Sequence, residues 1–358
     1  MLVLGIESSC DETAAAIVSG GDTMLSSEIF SQIEMHRPFG GVVPELASRE
    51  HLARIGPIVE SAIAKAGIEL DAIDGVAVTH GPGLIGSLLV GVSYAKSLAF
   101  GLGVPCIGVN HIEGHVYSVV FENPPIQYPA LALIVSGGHT NLFFIPEEGK
   151  YKLISRTRDD AAGEAFDKVA KMLGLGYPGG PIIERLAEKG DPRRVKFPKA
   201  KISDGRPDFS FSGLKTAVVR YLREKQIEPT DPSEMPSAEI CDVAAGFQAT
   251  VVDSLVGTME KVSQGLRPKT LLVAGGVACN LALREASTRV ANRLGVPVHF
   301  TSKHLSTDNA AMIAAAGCAH LARGEFSDLA MTADVTLRLQ NFENEDVSFK
   351  NKRVRYRL

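Results

Sequence analysis

Short apolar runs alternate with small polar turns along this chain. The first, Leu2-Val3-Leu4-Gly5-Ile6-Glu7, is a continuous apolar stretch and predicts a buried strand. Ser8-Ser9-Cys10-Asp11-Glu12-Thr13 then predicts a polar turn, and Ala14 to Val18 a returning strand, so the chain opens on a hairpin. A further strand over Asp71 to Thr79 ends in His80-Gly81-Pro82-Gly83 and leads into a long apolar helix. Val104 to Val109 predicts another strand, followed by a helix over His111 to Phe121.

At Ala130 the pattern begins again. Leu131 to Val135 reads as a strand, Ser136-Gly137-Gly138-His139-Thr140 as a polar turn, and Asn141 to Ile145 as a returning strand. Two strand–turn–strand units, one near the start of each half, suggest a duplicated architecture. Lys269 to Val273 predicts a later strand closing on Ala274-Gly275-Gly276-Val277-Ala278-Cys279-Asn280, and Val298 to Thr301 the last strand before a helix over His304 to Leu321. Strands alternating with helices define an α/β fold. Glycine-rich turns at strand ends are where such folds bind phosphates and nucleosides.

Composition sharpens this. The chain has 358 residues, 45% hydrophobic and 22% charged, enough to bury a sizeable core as two domains or one large one. A formal net charge of -4 excludes a generic polyanion binder, so a nucleic-acid role needs a local basic patch or a partner subunit. The five cysteines are scattered without a C-x-x-C pair, as in a reduced cytosolic protein, and this argues against cysteine-bound zinc. Met1 leads straight into an apolar strand, with no basic n-region or presequence pattern. Gly83 to Gly101 is the membrane candidate, but it carries Lys96 and several small residues and reads better as a buried core helix. The expectation is a cytoplasmic protein with no membrane partner.

His111-Ile112-Glu113-Gly114-His115 is the candidate metal motif. Residues four apart lie on one helical face, so both imidazoles can reach one ion. By itself the spacing also suits two unrelated helix histidines. Asp308, after the final strand in Ser306-Thr307-Asp308-Asn309, is the candidate third ligand, against the alternative of a plain helix N-cap. Two histidines and an aspartate suit iron(II) or zinc with positions left for substrate. A zincin would need H-E-x-x-H. Glu113 instead sits about 200° round the helix from His111, which disfavours metalloprotease chemistry.

Other motifs are individually weak. Ser136-Gly137-Gly138 and Gly275-Gly276 have the backbone for holding phosphate or ribose, although tight turns need glycine anyway, and neither matches the P-loop pattern. Asp11 and Glu12 stand in the first hairpin turn as solvated acids, or as acids that bind a metal–phosphate or polarise a nucleophile. Asp159 to Lys168 is an acid-rich helix start with Asp167 inside the helix, Tyr177 to Pro181 a rigid loop, and Phe209 to Thr216 a capped helix entry. Arg193, Arg194, Lys196, Lys199 and Lys201 form a basic surface segment, and the chain ends on a basic tail with Lys350, Lys352, Arg353, Arg355 and Arg357.

Taken together these motifs resemble one family. Lys96-Ser97, Leu102-Gly103, Pro105, Ile107, His111, Gly114, His115 and Val116 fall on a signature of proteins once called O-sialoglycoprotease-like and now understood as tRNA N6-adenosine threonylcarbamoyltransferases. GIESSCDETA, GGVVPELASR, GPGLIGSLLVG, VSGGHT, DDAAGEAFDK, YPGGP, DFSFSGLKT, AGGVACN and STDNA fit in the same order, from about Met1 to Arg323. In archaeal and eukaryotic members a tyrosine stands at the position of Ile134 and an asparagine at that of His139, so the pattern here is bacterial-type.

The resemblance implies an actin/hexokinase-like ATPase fold of two duplicated lobes with an interlobe cleft. It implies an N-terminal lobe over 1–129 with 306–330 packing back onto it, a C-terminal lobe over 130–305, and a basic tail over 331–358. It implies ligation of one divalent metal, iron(II) favoured and zinc possible, by His111, His115 and Asp308. Substrate contacts would fall on Ile134, Val135, Ser136, Gly137, Gly138, Asp167, Gly180 and Asn280, with an adenylate or ATP-type nucleotide and possible Mg2+. The implied reaction moves threonylcarbamoyl from threonylcarbamoyl-AMP to N6 of adenosine 37 in tRNAs reading codons that begin with A, with Asp11 or Glu12 as base or orienting group. Implied partners are tRNA, a TsaB-like pseudo-paralogue and a TsaE-like ATPase. The same fold would also serve a sugar-kinase-like ATPase or a nucleotide-binding regulatory subunit.

Overall fold

The computed structural model describes residues 1–123, 125–230 and 235–341. The basic tail residues from Lys350 onward lie outside them. The strands are β1 (Leu2–Glu7), β2 (Glu12–Ser19), β3 (Thr23–Ser31), β4 (Gly75–Gly81), β5 (Cys106–Asn110), β6 (Ala130–Val135), β7 (Thr140–Ile145), β8 (Lys152–Arg156), β9 (Thr270–Ala274) and β10 (Val298–Phe300). The helices are α1 (Ile33–His36), α2 (Pro44–Ala66), α3 (Ile85–Leu102), α4 (His111–Glu122), α5 (Ala162–Met172), α6 (Gly179–Ala187), α7 (Ser212–Lys225), α8 (Ala238–Leu266), α9 (Leu281–Leu294) and α10 (Ala310–Ala322).

The strands form two sheets, ordered β3-β2-β1-β4-β5 and β10-β9-β6-β7-β8. Read from the same end they are one topology used twice. In each, an antiparallel three-strand meander is extended by two parallel strands, with β1 and β6 at corresponding places. The expected duplication is therefore present strand for strand.

The chain divides into two compact units. One is formed by Met1–Pro125 and Thr301–Leu339, the other by Ile126–Phe300 with Gln340 and Asn341. In the first unit the sheet is covered on both faces, which explains why β1 and β2 read as unbroken apolar runs. Leu4, Ile6, Ala15 and Ile17 face α2 and α3, whereas Val3, Ala14, Ala16 and Val18 face α10. A methyl group on Gly5 would lie 2.2 Å from the carbonyl oxygen of Ala310, so glycine there lets α10 press directly on β1.

The second unit packs one continuous core, with α8 as its longest element. That helix corrects the expectation of a single membrane candidate. Both α3 and α8 are long and apolar enough to cross a membrane by length and composition; α8 is 72% buried inside the protein, whereas α3, expected as a buried core helix, is only 33% buried. The expected helix over His304 to Leu321 begins only at Ala310.

Candidate metal centre

The metal motif is built by a strand running directly into a helix. Asn110 ends β5, and its side-chain oxygen accepts from the backbone N–H groups of Ile112 and Glu113, so it caps α4 and leaves His111 as the first helical residue. One turn on, His115 brings its ring centroid to 4.8 Å from that of His111. Gly114 between them costs the helix about 1 kcal/mol, and packing explains it. A methyl group there would stand 2.7 Å from the Ile313 side chain and 3.1 Å from that of Met312, so glycine lets α10 close on α4 without moving them.

That approach delivers Asp308, in the turn before α10. Its Oδ1 lies 3.3 Å from His115 Nε2 and 3.5 Å from His111 Nε2. One potential ligand atom from each of the three residues lies within 4.8 Å of the others. The N-cap alternative for Asp308 fails, because the side chain of the next residue, Asn309, accepts from Met312 N and takes the cap.

The donor set fits a divalent cation on a specific observation. His115 is fully buried, yet neither of its ring nitrogens has a hydrogen-bond partner among the described residues. A buried polar group without a partner is costly, and coordination through Nε2 would satisfy it. Glu113, by contrast, faces away from the ligands to His320 at 3.0 Å.

Glu7, not among the candidate residues read from the sequence, also belongs to this site. This carboxylate is fully buried at the end of β1. It accepts from Ser9 N at 2.6 Å, from Thr79 Oγ1 at 2.6 Å and from His111 Nδ1 at 3.0 Å. Burial pushes its pKa up, but the neighbouring His111 more than compensates and holds it below the ordinary value. Burial likewise depresses His111, and Asp308 and Glu7 together overcome this and raise it to about 9. A glutamate closing an otherwise apolar strand was the one available signal.

Asp11 and Glu12 lie in the same unit, both more than nine-tenths buried rather than solvated. Ser31 donates to Glu12 Oε1 at 3.1 Å. Burial, then the charges of Asp11 and Asp308, hold Glu12 well above the ordinary carboxylate range, and a hydrogen bond to Asp11 adds to the shift. Their turn is held by His51 of α2. Its Nε2 donates to the Cys10 carbonyl at 2.9 Å, and its Nδ1 accepts from Thr13 Oγ1 at 2.8 Å.

In the second unit, Ile134 and Val135 are buried inside β6, so any ligand contact from them is through the backbone. Ser136, Gly137 and Gly138 form the turn to β7, closed by Ser136 N donating to the His139 carbonyl. The start of α5 packs on this turn, Gly163 N and Glu164 N donating to the carbonyls of Ser136 and Gly137. Asp167, inside α5, accepts from Gly179 N at 2.7 Å and so fixes the loop carrying Gly180. A Cβ added at Gly137, Gly138 or Gly180 would meet nothing within 4 Å, so each leaves open space beside the backbone. The Asn280 side chain caps α9 through Leu283 N and donates to Gln248 Oε1 at 2.7 Å. Asp159 does not serve its own helix. It caps α7 from a distance, accepting from Phe211 N at 2.7 Å and from Ser212 N at 3.1 Å.

The basic segment is exposed, but much of its charge is answered locally. Arg193 pairs with Asp191, Arg194 with Asp242 and Lys199 with Asp253.

With this geometry in place, the chain was compared with known proteins. The family profile described as TsaD: tRNA N6-adenosine threonylcarbamoyltransferase matches residues 23–315. The chain belongs to this family. A Koribacter versatilis protein named tRNA N6-adenosine threonylcarbamoyltransferase is 50% identical over 95% of this chain and 99% of its own. One of the same name from Geobacter sp. strain M21 is 52% identical over 93% and 95%.

Solved structures show the fold. Component A of the Acidaminococcus fermentans (R)-2-hydroxyglutaryl-CoA dehydratase superposes with a TM-score of 0.51 at 16% identity, covering 90% of this chain and 99% of that one. HypF from T. kodakarensis gives 0.59 at 12% identity, covering 90% and 48%. The fold is the actin/hexokinase-like ATPase fold, and the chain is a transferase of tRNA modification.

Proposed function

We propose that this chain transfers the threonylcarbamoyl group of threonylcarbamoyl-AMP to N6 of adenosine 37 in tRNA, with His111, His115 and Asp308 holding one divalent cation, iron(II) favoured and zinc possible. The observation that carries the metal part is the fully buried His115 ring, unpartnered and turned towards Asp308. When bound, such a cation supplies Lewis-acid polarisation and orientation of the acyl donor.

The chain's own groups account for the rest. The open backbone at Gly137, Gly138 and Gly180 lets the adenylate come close, and the Gly137 and Gly138 amides hold its phosphate. Asp167 acts by fixing the Gly180 loop, and Asn280 by fixing the start of α9. The N6 amine attacks the carbamoyl carbon. The bond from that carbon to the phosphate oxygen breaks and AMP leaves with the electron pair. Glu12, held well above the ordinary carboxylate range by burial and by the charges of Asp11 and Asp308, accepts the amine proton when ionised, with Asp11 orienting it.

In this reading the chain works in the cytoplasm with a TsaB-like pseudo-paralogue and a TsaE-like ATPase, and Mg2+ accompanies any ATP-type nucleotide. The tRNA docks on the exposed segment of Arg193, Arg194, Lys196, Lys199 and Lys201, an anticodon-loop base being splayed out to reach the donor. Charge reversal at Arg193 and Arg194 that left tRNA binding unchanged would remove this docking surface.

The test is a reconstituted assay with unmodified tRNA, threonine, bicarbonate, ATP and the partner proteins, read by appearance of the modified base. Loss of product with His111→Ala and with His115→Ala supports the reading, and unimpaired transfer by both sinks the metal's role.

A further inference from the structure

Glu7 has no place in the ligand set or in the acid–base assignment above, yet it is among the most constrained charged groups described. It is fully buried, and its two oxygens accept from three donors, in the turn after β1, in β4 and in α4. Ser9 N can only donate, so Oε1 must accept. Oε2 receives Thr79 Oγ1 at 2.6 Å and His111 Nδ1 at 3.0 Å.

We infer that Glu7 is the positioning residue of the metal centre, fixing His111 as an Nε2 ligand and supplying the charge that makes the site selective for a divalent cation. This rests on the reading that His111, His115 and Asp308 hold such a cation. Glu7 faces Nδ1 of the very ring whose Nε2 faces Asp308. A carboxylate accepting from Nδ1–H sets the tautomer, leaves the Nε2 lone pair for the ion and makes the imidazole a stronger donor. Ser9 Oγ, 3.2 Å from the same Nδ1, stands on that side too.

Charge points the same way. With His111 and His115 neutral as ligands, Asp308 and Glu7 contribute two negative charges against the two positive charges of the ion. Removing the charge at Glu7 leaves a net positive centre in a buried pocket, which is unfavourable. The Ser9 bond adds a structural link, because the same carboxylate grips the turn that bears Asp11 and Glu12, so the ligand helix and the acid pair are held in register by one side chain.

The experiment titrates Zn2+ and Co2+, in competition with a chelator at fixed pH, into wild type, Glu7→Gln and Glu7→Ala, with His111→Ala as reference. Circular dichroism of the metal-free proteins reports folding. Metal affinity is expected to fall about 10–100-fold in Glu7→Gln and at least as far in Glu7→Ala. The cobalt visible spectrum of Glu7→Gln should also change. Variants that bind within twofold of wild type, with an unchanged cobalt spectrum, overturn the inference.

Should the variants fail to fold, nitrogen-15 NMR of histidine-labelled, zinc-loaded wild type decides. A protonated Nδ1 and a metal-bound Nε2 on His111 support the inference, and the reverse refutes it. If His111→Ala binds metal as wild type does, the ligand assignment itself is wrong, a result distinct from a failure at Glu7 alone.

Discussion

Glu113 Oε2 lies 3.0 Å from His320 Nε2, joining the helix that carries both histidine ligands to the helix that follows Asp308. The acid nearest the metal motif in sequence is thus occupied in holding α4 against α10. Burial depresses His320, and Glu113 and Glu325 outweigh this and raise it above 6.5. Glu113→Gln should cost about 1–3 kcal/mol of stability while transfer stays within about threefold of wild type. A histidine with a raised folded-state pKa stabilises fully below its unfolded value, and the gain is lost as pH rises through the folded value. Wild-type denaturation midpoints should therefore fall as pH rises above 6.5, and Glu113→Gln should flatten that slope. An inactive but stable variant would restore Glu113 to the chemistry.

On the proposed ligation, protons and metal compete for His111. In the metal-free protein its pKa is raised to about 9 from 6.5, so its contribution to stability is complete below 6.5 and is lost as pH rises through about 9. Metal uptake displaces that proton and has the opposite dependence. Chelator concentrations needed to strip the ion should therefore rise steadily with pH across this window. Thermal shifts on metal addition should grow in parallel, and a pH-independent shift would contradict the assignment.

Glu12→Gln should lower transfer about 100- to 10,000-fold with metal content unchanged. Because Glu12 titrates well above the ordinary carboxylate range, the wild-type rate should rise with pH through its raised pKa, and this limb should vanish in the variant. A pH profile unaltered by the substitution would remove Glu12 as the base.

Glycines in the second unit separate binding from folding. Gly137→Ala and Gly180→Ala add a methyl group to open space and should change stability by no more than about 0.5 kcal/mol, while adenylate affinity measured by calorimetry drops. Gly163→Ala would drive a methyl group to 2.5 Å from the Ser136 carbonyl oxygen and should destabilise by more than about 1 kcal/mol. Equal stability losses in all three would mean that the turns serve packing alone.

Much of this was legible in the sequence because the signals were local. The hairpins at Leu2 and Leu131, the strand-to-helix step before His111 and the histidine spacing are all short-range patterns. The pairing of Asp308 with them was read against its N-cap alternative, and the neighbouring Asn309 turned out to hold the cap. What could not be read was long-range. Glu7 meets Thr79 and His111, 72 and 104 residues away. Asp159 caps a helix some fifty residues on. In sequence a buried strand-end glutamate and an exposed one look the same, and only the tertiary partners tell them apart.

Asp308 reaches His111 and His115 on a segment that returns to the first unit only after residues 126–300 of the second. This sets an order on synthesis. As the polypeptide emerges from the ribosome, residues 126–300 follow one another without interruption, while the first sheet waits with the face meant for α10 uncovered. On the proposed ligation, a chain halted before Asp308 would carry both imidazoles but no third ligand. On that ligation, metal binding becomes a late check that synthesis has passed Asp308.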